Sequence, residues 1–314
     1  MLNIVFMGTP DFARDSLEEI VNEGHNILAV ITAVDKPKGR GMQLQESDVK
    51  KYAISKQLPV YQPEKIKENE ELIQIIKKLK PDLLCVVAYG KILPKELLDI
   101  AKYGSINVHA SLLPKYRGSA PIQWAIINGE EKTGVTTMFM DVQLDAGDII
   151  LQEKTEIGEN ETTGELWNRL SKIGAKLLIK TLEKIEEGNV KRIKQTDDFT
   201  IAPMIEKKLG NIDWNNKTGL EIKNLVRGLN PIIGAYTFLN DKKYKIWKVE
   251  IIKDFNTNDS VPGTVIFSDE KKGMYINTID GILSILEIQA ENSKKMEICE
   301  FLRGNKINLG ETFR

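Results

Sequence analysis

Asn107 and His109 stand two residues apart in Ile106-Asn107-Val108-His109-Ala110-Ser111-Leu112-Leu113-Pro114. The stretch starts as a strand, with small and β-branched residues alternating with polar ones. Pro114 then ends regular pairing and turns the chain into a loop. Residues two apart on a strand share a face, so the amide and the imidazole point together. An amide donor beside an imidazole at a strand's carboxyl end can polarise a carbonyl and move a proton. Only one other histidine exists, His25, which concentrates imidazole chemistry on this position. On this stretch alone, satisfied polar residues at a strand end explain the pair as well as catalysis does.

An acidic partner is available in Leu144-Asp145-Ala146-Gly147-Asp148, a Gly-containing loop after a strand-like run. A carboxylate that orients an imidazole and stabilises its charged form is a recurring arrangement. Asp-Ala-Gly-Asp also suits a plain turn, and on these residues alone both readings stand. The chain has no phosphate loop, no Gly-x-Gly-x-x-Gly after its first strand and no Gly-x-Ser-x-Gly elbow. Two histidines cannot build a His-rich cage, and no catalytic metal is expected.

The elements that must position these groups alternate in the first half. Leu2–Met7 reads as a strand ending in Gly8-Thr9-Pro10, and Asp11–Glu23 as a helix with Phe12, Leu17, Ile20 and Val21 inward. Ile27–Val34, Leu83–Ala88 and Ser105–His109 are further strands, with a helix over Asn69–Leu79. Near-continuous apolar strands separated by helices predict an α/β fold, a Rossmann-like, mostly parallel sheet. Ligands bind such sheets at the strands' carboxyl ends, where Gly8, Tyr89-Gly90 and Asn107–His109 would gather. Val135–Val142 and Ile149–Glu156 add strands, and a long amphipathic helix runs from Thr163 to about Glu187, with Gly188 as its cap. Periodicity fades over 189–208, read as a linker between a 1–188 catalytic domain and a 209–314 domain. The latter has one helix, Gly219–Leu229, and short strands with turns at Asn240-Asp241, Pro262-Gly263 and Asp280-Gly281, which suggest a small β-barrel.

With 314 residues, two domains are the natural expectation, and a net charge of −1 demands no polyanionic partner. Cys85 and Cys299 lie far apart, which argues against a disulfide framework; Cys85 in its apolar run reads as a small hydrophobe. The N-terminus lacks a basic region and no apolar stretch is long enough to cross a bilayer, so a cytoplasmic protein is expected.

Ile106–Pro114, its continuation Lys115-Tyr116-Arg117-Gly118-Ser119-Ala120-Pro121-Ile122, and Leu144–Asp148 together resemble the folate-dependent formyltransferases. Phe6-Met7-Gly8-Thr9-Pro10-Asp11-Phe12-Ala13, Asp35-Lys36-Pro37-Lys38-Gly39-Arg40-Gly41, Leu229-Asn230-Pro231, Gly234-Ala235-Tyr236 and Glu300-Phe301-Leu302-Arg303-Gly304 narrow the likeness to the branch acting on methionyl-tRNA. The resemblance runs essentially end to end. It implies formyl transfer from 10-formyltetrahydrofolate, as co-substrate, to the α-amine of initiator methionyl-tRNA. It implies Asn107, His109 and Asp145 as catalytic residues. It implies a folate pocket from Ser111, Leu112, Leu113, Pro114, Tyr89, Gly90 and Ile92. Lys36, Lys38 and Arg40, in an exposed loop over 35–50, would meet tRNA, as would Lys243 and Lys245 on an OB-like C-terminal barrel. After Gly41 the loop reads Met42-Gln43-Leu44-Gln45-Glu46-Ser47-Asp48, less basic than is usual for the family. No obligate protein partner is implied, and monomer is the default. A small amine or amino sugar nucleotide as acceptor, a folate hydrolase, or a silent RNA-binding protein are the alternatives. The basic loop and the tRNA-sized second domain favour the tRNA enzyme.

Overall fold

The computed structural model describes residues 1–38, 43–253 and 260–314. Two compact units emerge. The first comprises residues 1–121, 132–156 and 167–203, and the second residues 122–131, 157–166 and 204–314.

The first unit begins with β1 (Asn3–Gly8), α1 (Asp11–Asn22) and β2 (Asn26–Ile31). All of β1 but its first residue is buried, since neighbours flank both edges and cover both faces. Pro10, in extended conformation, caps α1, and Phe12, Ala13, Leu17 and Ile20 turn inward from it. A short ribbon, β3 (Lys36–Lys38) with β4 (Gln43–Gln45), precedes α2 (Asp48–Ser55) and β5 (Val60–Tyr61). Then come α3 (Glu70–Leu79), β6 (Leu83–Val87), α4 (Lys95–Leu98), β7 (Ser105–His109) and β8 (Arg117–Gly118). Asn69 caps α3 by accepting from the Leu72 N–H at 2.9 Å, while Glu70 and Glu71 complement its first turn. After α5 (Pro121–Ile127), which belongs to the second unit from Ile122 on, follow β9 (Lys132–Phe139), β10 (Ile149–Glu156), α6 (Thr163–Glu186), in the first unit from Trp167 on, and β11 (Ile201–Ala202).

The seven-stranded sheet runs β10-β9-β7-β6-β1-β2-β5. Five strands are parallel; β9 runs antiparallel to β7, and β10 to β9. The expected Rossmann-like, mostly parallel sheet is borne out, with its antiparallel pair beside the strand that carries Asn107 and His109. Gly174 lets α6 sit close on that part of the sheet, since a methyl there would meet Val108 Cγ1 at 3.0 Å. Cys85 is fully buried in β6 and burial pushes its thiol pKa up, consistent with a hydrophobe.

The second unit adds α7 (Gly219–Gly228), β12 (Ala235–Leu239), β13 (Lys242–Ile252), β14 (Val265–Asp269), β15 (Gly273–Asn277), β16 (Ile282–Ala290), β17 (Met296–Glu297) and α8 (Ile298–Gly304). A capping box starts α7, Thr218 and Glu221 each satisfying the other's backbone N–H. Asn240 and Asp241, both with positive φ, make the tight β12–β13 turn. The antiparallel sheet runs β12-β13-β16-β15-β14, with β17 on β16. Its two ends are joined by the C-terminal tail. Arg314 exchanges both backbone hydrogen bonds with Phe238 of β12, while Phe313 N–H donates to Gly263 and Thr312 bridges Thr264 beside β14. The tail therefore closes the expected barrel. Closure removes the edge strands that an open sheet would leave exposed.

Trp214 fills the barrel core, and its indole N–H donates to Thr237 Oγ1, which donates to the Arg314 carbonyl. Trp214→Ala is expected to cost about 3–5 kcal/mol, read as a lowered denaturation midpoint of this unit. The second histidine is structural: the Leu2 N–H donates to His25 Nδ1 at 3.1 Å, which needs that nitrogen unprotonated. Burial, then the N-terminal ammonium, hold the His25 pKa below its ordinary value. The unfolded chain thus takes up this proton first. The contact's stability is full above about pH 6.5 and fades as pH falls below it. His25→Asn is expected to flatten that part of the pH–stability profile between pH 7.5 and 5, measured by chemical denaturation.

Candidate active site

At the carboxyl end of β7, His109 pairs in register with Thr136 of β9, and Asn107 with Met138. Asn107 is half-buried and His109 only 6% exposed. The ring is gripped on both edges. Its Nε2 lies 2.9 Å from the Tyr116 carbonyl, which can only accept, so Nε2–H is the donor. Nδ1 lies 3.6 Å from Asp145 Oδ2. That spacing is an electrostatic contact and too long for a hydrogen bond. A neutral ring in this tautomer keeps its lone pair on Nδ1, and a proton taken there would form an imidazolium beside a carboxylate.

Asp145 is fixed by its backbone and by its side chain. Its φ of +47° lies in the left-handed region, which Asp tolerates better than most residues. Oδ2 accepts from the Gly118 N–H at 2.8 Å. Two residues on, Gly147 passes so close to the Phe139 carbonyl that a Cβ would collide with it. The 144–148 loop is therefore pressed onto the end of β9, bringing the carboxylate to the histidine. Asp148 is not at the ring but near Arg192, at 3.9 Å.

The segment after β7 is folded back by β9 and β10. Thr136 Oγ1 donates to the Ser111 carbonyl and accepts from the Leu113 N–H, while Gln152 Nε2 donates to the Leu113 carbonyl at 2.8 Å. Ser111 is buried, its hydroxyl donating to the Lys115 carbonyl. Leu113 packs with Met138 and Ile149; Leu112 and Pro114 are half-buried, with a cis Leu113–Pro114 bond. Of the residues after β6, Tyr89 is buried with its phenol unpartnered, and burial pushes its pKa up to about 12. Gly90, at φ +77°, is exposed, and Ile92 is 81% exposed. Ile92 thus offers an uncovered apolar side chain, whereas Tyr89 and Leu113 are already core residues.

Residues 192–202 run along this site. Ile193 bridges Ile149, and β11 pairs parallel with β8. Thr200 accepts from the Tyr116 N–H through Oγ1 and from the Arg117 N–H through its carbonyl, each at 2.8 Å. Arg117 lies over the Phe199 ring, 4.3 Å from its centroid. The sequence pattern marks none of Thr136, Gln152, Gln195 and Thr200: Thr136 and Gln152 have the types of ordinary strand residues, and the 192–202 stretch has no periodicity.

Of the basic residues, Lys36 is exposed on β3, and Lys38 follows on the same strand. Arg40 lies outside the described residues. The expected exposed loop over 35–50 is replaced at its described ends by the β3–β4 ribbon and the start of α2, where Ser47 caps the helix. Lys50 is tied to Asp35 at 2.5 Å and Glu46 at 3.3 Å. In the second unit Lys243 and Lys245 share the outer face of β12–β13 with Tyr236, Phe238 and Trp247, opposite buried Ala235, Thr237, Leu239 and Ile246. Lys243 Nζ sits 3.6 Å from the Tyr236 ring centroid. Lys245 donates to the Ile233 carbonyl at 2.7 Å, and burial, then Lys243 and Lys207, hold its pKa below the usual lysine range. Among the described residues, no three His, Cys, Asp or Glu side chains gather as a metal site, and no helix is long and apolar enough to cross a membrane.

The family model for formyl transferase matches residues 2–182, and that for the formyl transferase C-terminal domain matches residues 204–306. A methionyl-tRNA formyltransferase of Clostridioides difficile is 52% identical over 310 residues, 98% of this chain and 99% of that one. Another, from Caldanaerobacter subterraneus, is 48% identical with the same coverage. Among solved structures, HypX of Aquifex aeolicus in complex with tetrahydrofolic acid aligns with a TM-score of 0.65 at 18% identity, covering 100% of this chain and 51% of that one. An N-formyltransferase of Helicobacter canadensis, with folinic acid and dTDP-3-aminofucose, gives 0.68 at 24% identity, covering 92% and 100%. These two likenesses speak to the fold. Matched in both domains and about half identical to curated relatives along nearly its whole length, the chain belongs to the methionyl-tRNA formyltransferase family.

Proposed function

We propose that this protein transfers the formyl group of 10-formyltetrahydrofolate to the α-amine of initiator methionyl-tRNA for translation initiation, acting in the cytoplasm as a monomer without an obligate protein partner. Residues 1–188 form the catalytic domain, 189–208 a linker and 209–314 the tRNA-binding domain. The observation that carries the reading is His109 held between the Tyr116 carbonyl and the Asp145 carboxylate, two residues along β7 from Asn107, in a chain so similar to its relatives. The amine attacks the formyl carbon, giving a tetrahedral intermediate with charge on its oxygen. The Asn107 amide donates to that oxygen. His109 Nδ1 takes the proton the amine sheds, and the Asp145 carboxylate stabilises the imidazolium. The proton then passes to the folate nitrogen as its bond to the formyl carbon breaks. An α-amine has a pKa of roughly 7.7–8.0, so little base strength is needed and no covalent enzyme intermediate arises.

Folate binds against Ser111–Pro114 and the Tyr89–Ile92 turn, with exposed Ile92 meeting its apolar surface. Lys36, Lys38 and Arg40 contact the tRNA acceptor end. Lys243 and Lys245 line an aromatic face of the kind that tracks nucleic-acid backbones. Lys245, hydrogen-bonded to a carbonyl, positions that face as much as it offers charge.

The deciding experiment is formyl transfer from 10-formyltetrahydrofolate to initiator methionyl-tRNA, beside elongator methionyl-tRNA and a no-tRNA control. Rapid formylation of the initiator alone is expected; folate turnover without tRNA would point to a hydrolase. Asn107→Ala, His109→Ala and Asp145→Ala should each lower kcat by ~10²–10³ with tRNA affinity nearly unchanged. Wild-type turnover in all three would sink the mechanism. Lys243→Ala is expected to weaken tRNA binding and reduce the slope of log affinity against log salt by about 1, measured by filter binding, while kcat at saturating tRNA stays at its wild-type value.

A further inference from the structure

The geometry points to Gln195 as a positioning residue for Asp145, a role that rests on the catalytic reading of Asp145 and His109. Both of its amide N–H groups and its oxygen are engaged, in one orientation. Nε2 donates to the Asp145 and Gly147 carbonyls, each at 2.8 Å, and Oε1 accepts from Arg117 Nε at 2.9 Å. Flipping the amide would set an oxygen against two carbonyls and an N–H against a guanidinium, so the assignment is fixed by its partners.

The two loops that Gln195 joins are the ones that hold the histidine. The Tyr116 carbonyl receives His109 Nε2, and the Gly118 N–H holds the Asp145 carboxylate. Arg117 lies between them. One side chain thus ties the backbone that supplies the carboxylate to the guanidinium of Arg117, the residue between the two backbone groups that orient the pair. The need is specific, because Asp145 is in the left-handed region and its loop has no regular pairing of its own at residues 144–148. The carbonyls at 145 and 147 face Gln195, so without its two N–H groups the loop loses donors on both sides of Ala146. His109 and Asp145 are separated by 3.6 Å with no hydrogen bond between them, so their alignment depends on what holds each loop. The segment carrying Gln195 is itself anchored by the Ile193–Ile149 bridge and by β11 on β8, which leaves it rigid enough to position something else.

Gln195→Glu tests this, because it keeps the volume and the acceptor for Arg117 but turns a carboxylate oxygen toward the two carbonyls. Gln195→Ala removes all three bonds and serves where the Glu variant folds poorly. Either is expected to lower kcat for formyl transfer by about 10²-fold, the scale of a small misplacement of a catalytic group, with KM for folate and for methionyl-tRNA unchanged. Hydrogen–deuterium exchange should quicken over residues 143–148 while residues 201–202 stay protected. In an Asp145→Asn background, the Gln195 variants should slow turnover no further, since their effect runs through Asp145. Wild-type kcat in both Gln195 variants, or a multiplicative loss in the double variants, would overturn the proposal while leaving the catalytic reading intact. Wild-type turnover in Asp145→Asn would instead overturn that reading, and this proposal with it.

Discussion

A carboxylate can stabilise an imidazolium only if the fold holds it close without letting solvent or a competing cation take its place. Here Asp145 Oδ2 is pinned by the Gly118 N–H and stands 3.6 Å from His109 Nδ1. Everything around the site serves that separation. Gly147 allows the loop to press against Phe139, the left-handed backbone at 145 turns the side chain inward, and the Tyr116 carbonyl fixes the other edge of the ring. None of these is a strong interaction by itself, since a buried hydrogen bond contributes only about 1 kcal/mol net. Their effect comes from acting on one pair of groups from different directions.

The sheet explains why the pair forms where it does. Strand β7 is the last parallel strand before the antiparallel pair β9–β10, and β9 enters beside its carboxyl end, His109 facing Thr136, and leaves beside its amino end, Ile106 facing Phe139. Thr136 and Gln152 can then reach back from β9 and β10 to hold residues 111–113, while the loop from β9 to β10 delivers Asp145. That loop starts at the amino side of β7 and folds back along the strand, pressed against Phe139 at Gly147, to bring Asp145 to His109.

Much of this was legible in the residues. Apolar runs separated by amphipathic stretches marked the parallel strands and helices, whereas α2 and its Ser47 cap begin inside a stretch that reads as an exposed loop. The Asn-x-His spacing put two side chains on one strand face without any knowledge of the fold. Physics alone left Asp145 undecided, because Asp-Ala-Gly-Asp suits a plain turn and nothing local says which strand end that turn overhangs. The closing of the barrel was hidden for a similar reason. Thr312, Phe313 and Arg314 show no strand pattern, and their partners, Phe238 of β12 and Gly263 and Thr264 beside β14, lie far away in sequence.

Residues 189–203 show most clearly what periodicity cannot report. Charged and polar, with Asp197-Asp198 and no repeating apolar face, the stretch has the composition of a tether. It nevertheless packs with the first unit up to Pro203, since its bonds are single side chains and backbone groups meeting distant partners: Gln195 with Arg117, Thr200 with Tyr116, Ile193 with Ile149. Such contacts leave no pattern along the chain, because each depends on an address in the fold and not on a neighbour in sequence. A segment that joins two domains can therefore also brace the loops of one, and its polar composition suits that task. Loop backbones have carbonyls and N–H groups to satisfy, and polar side chains can pair with them where no regular ladder does.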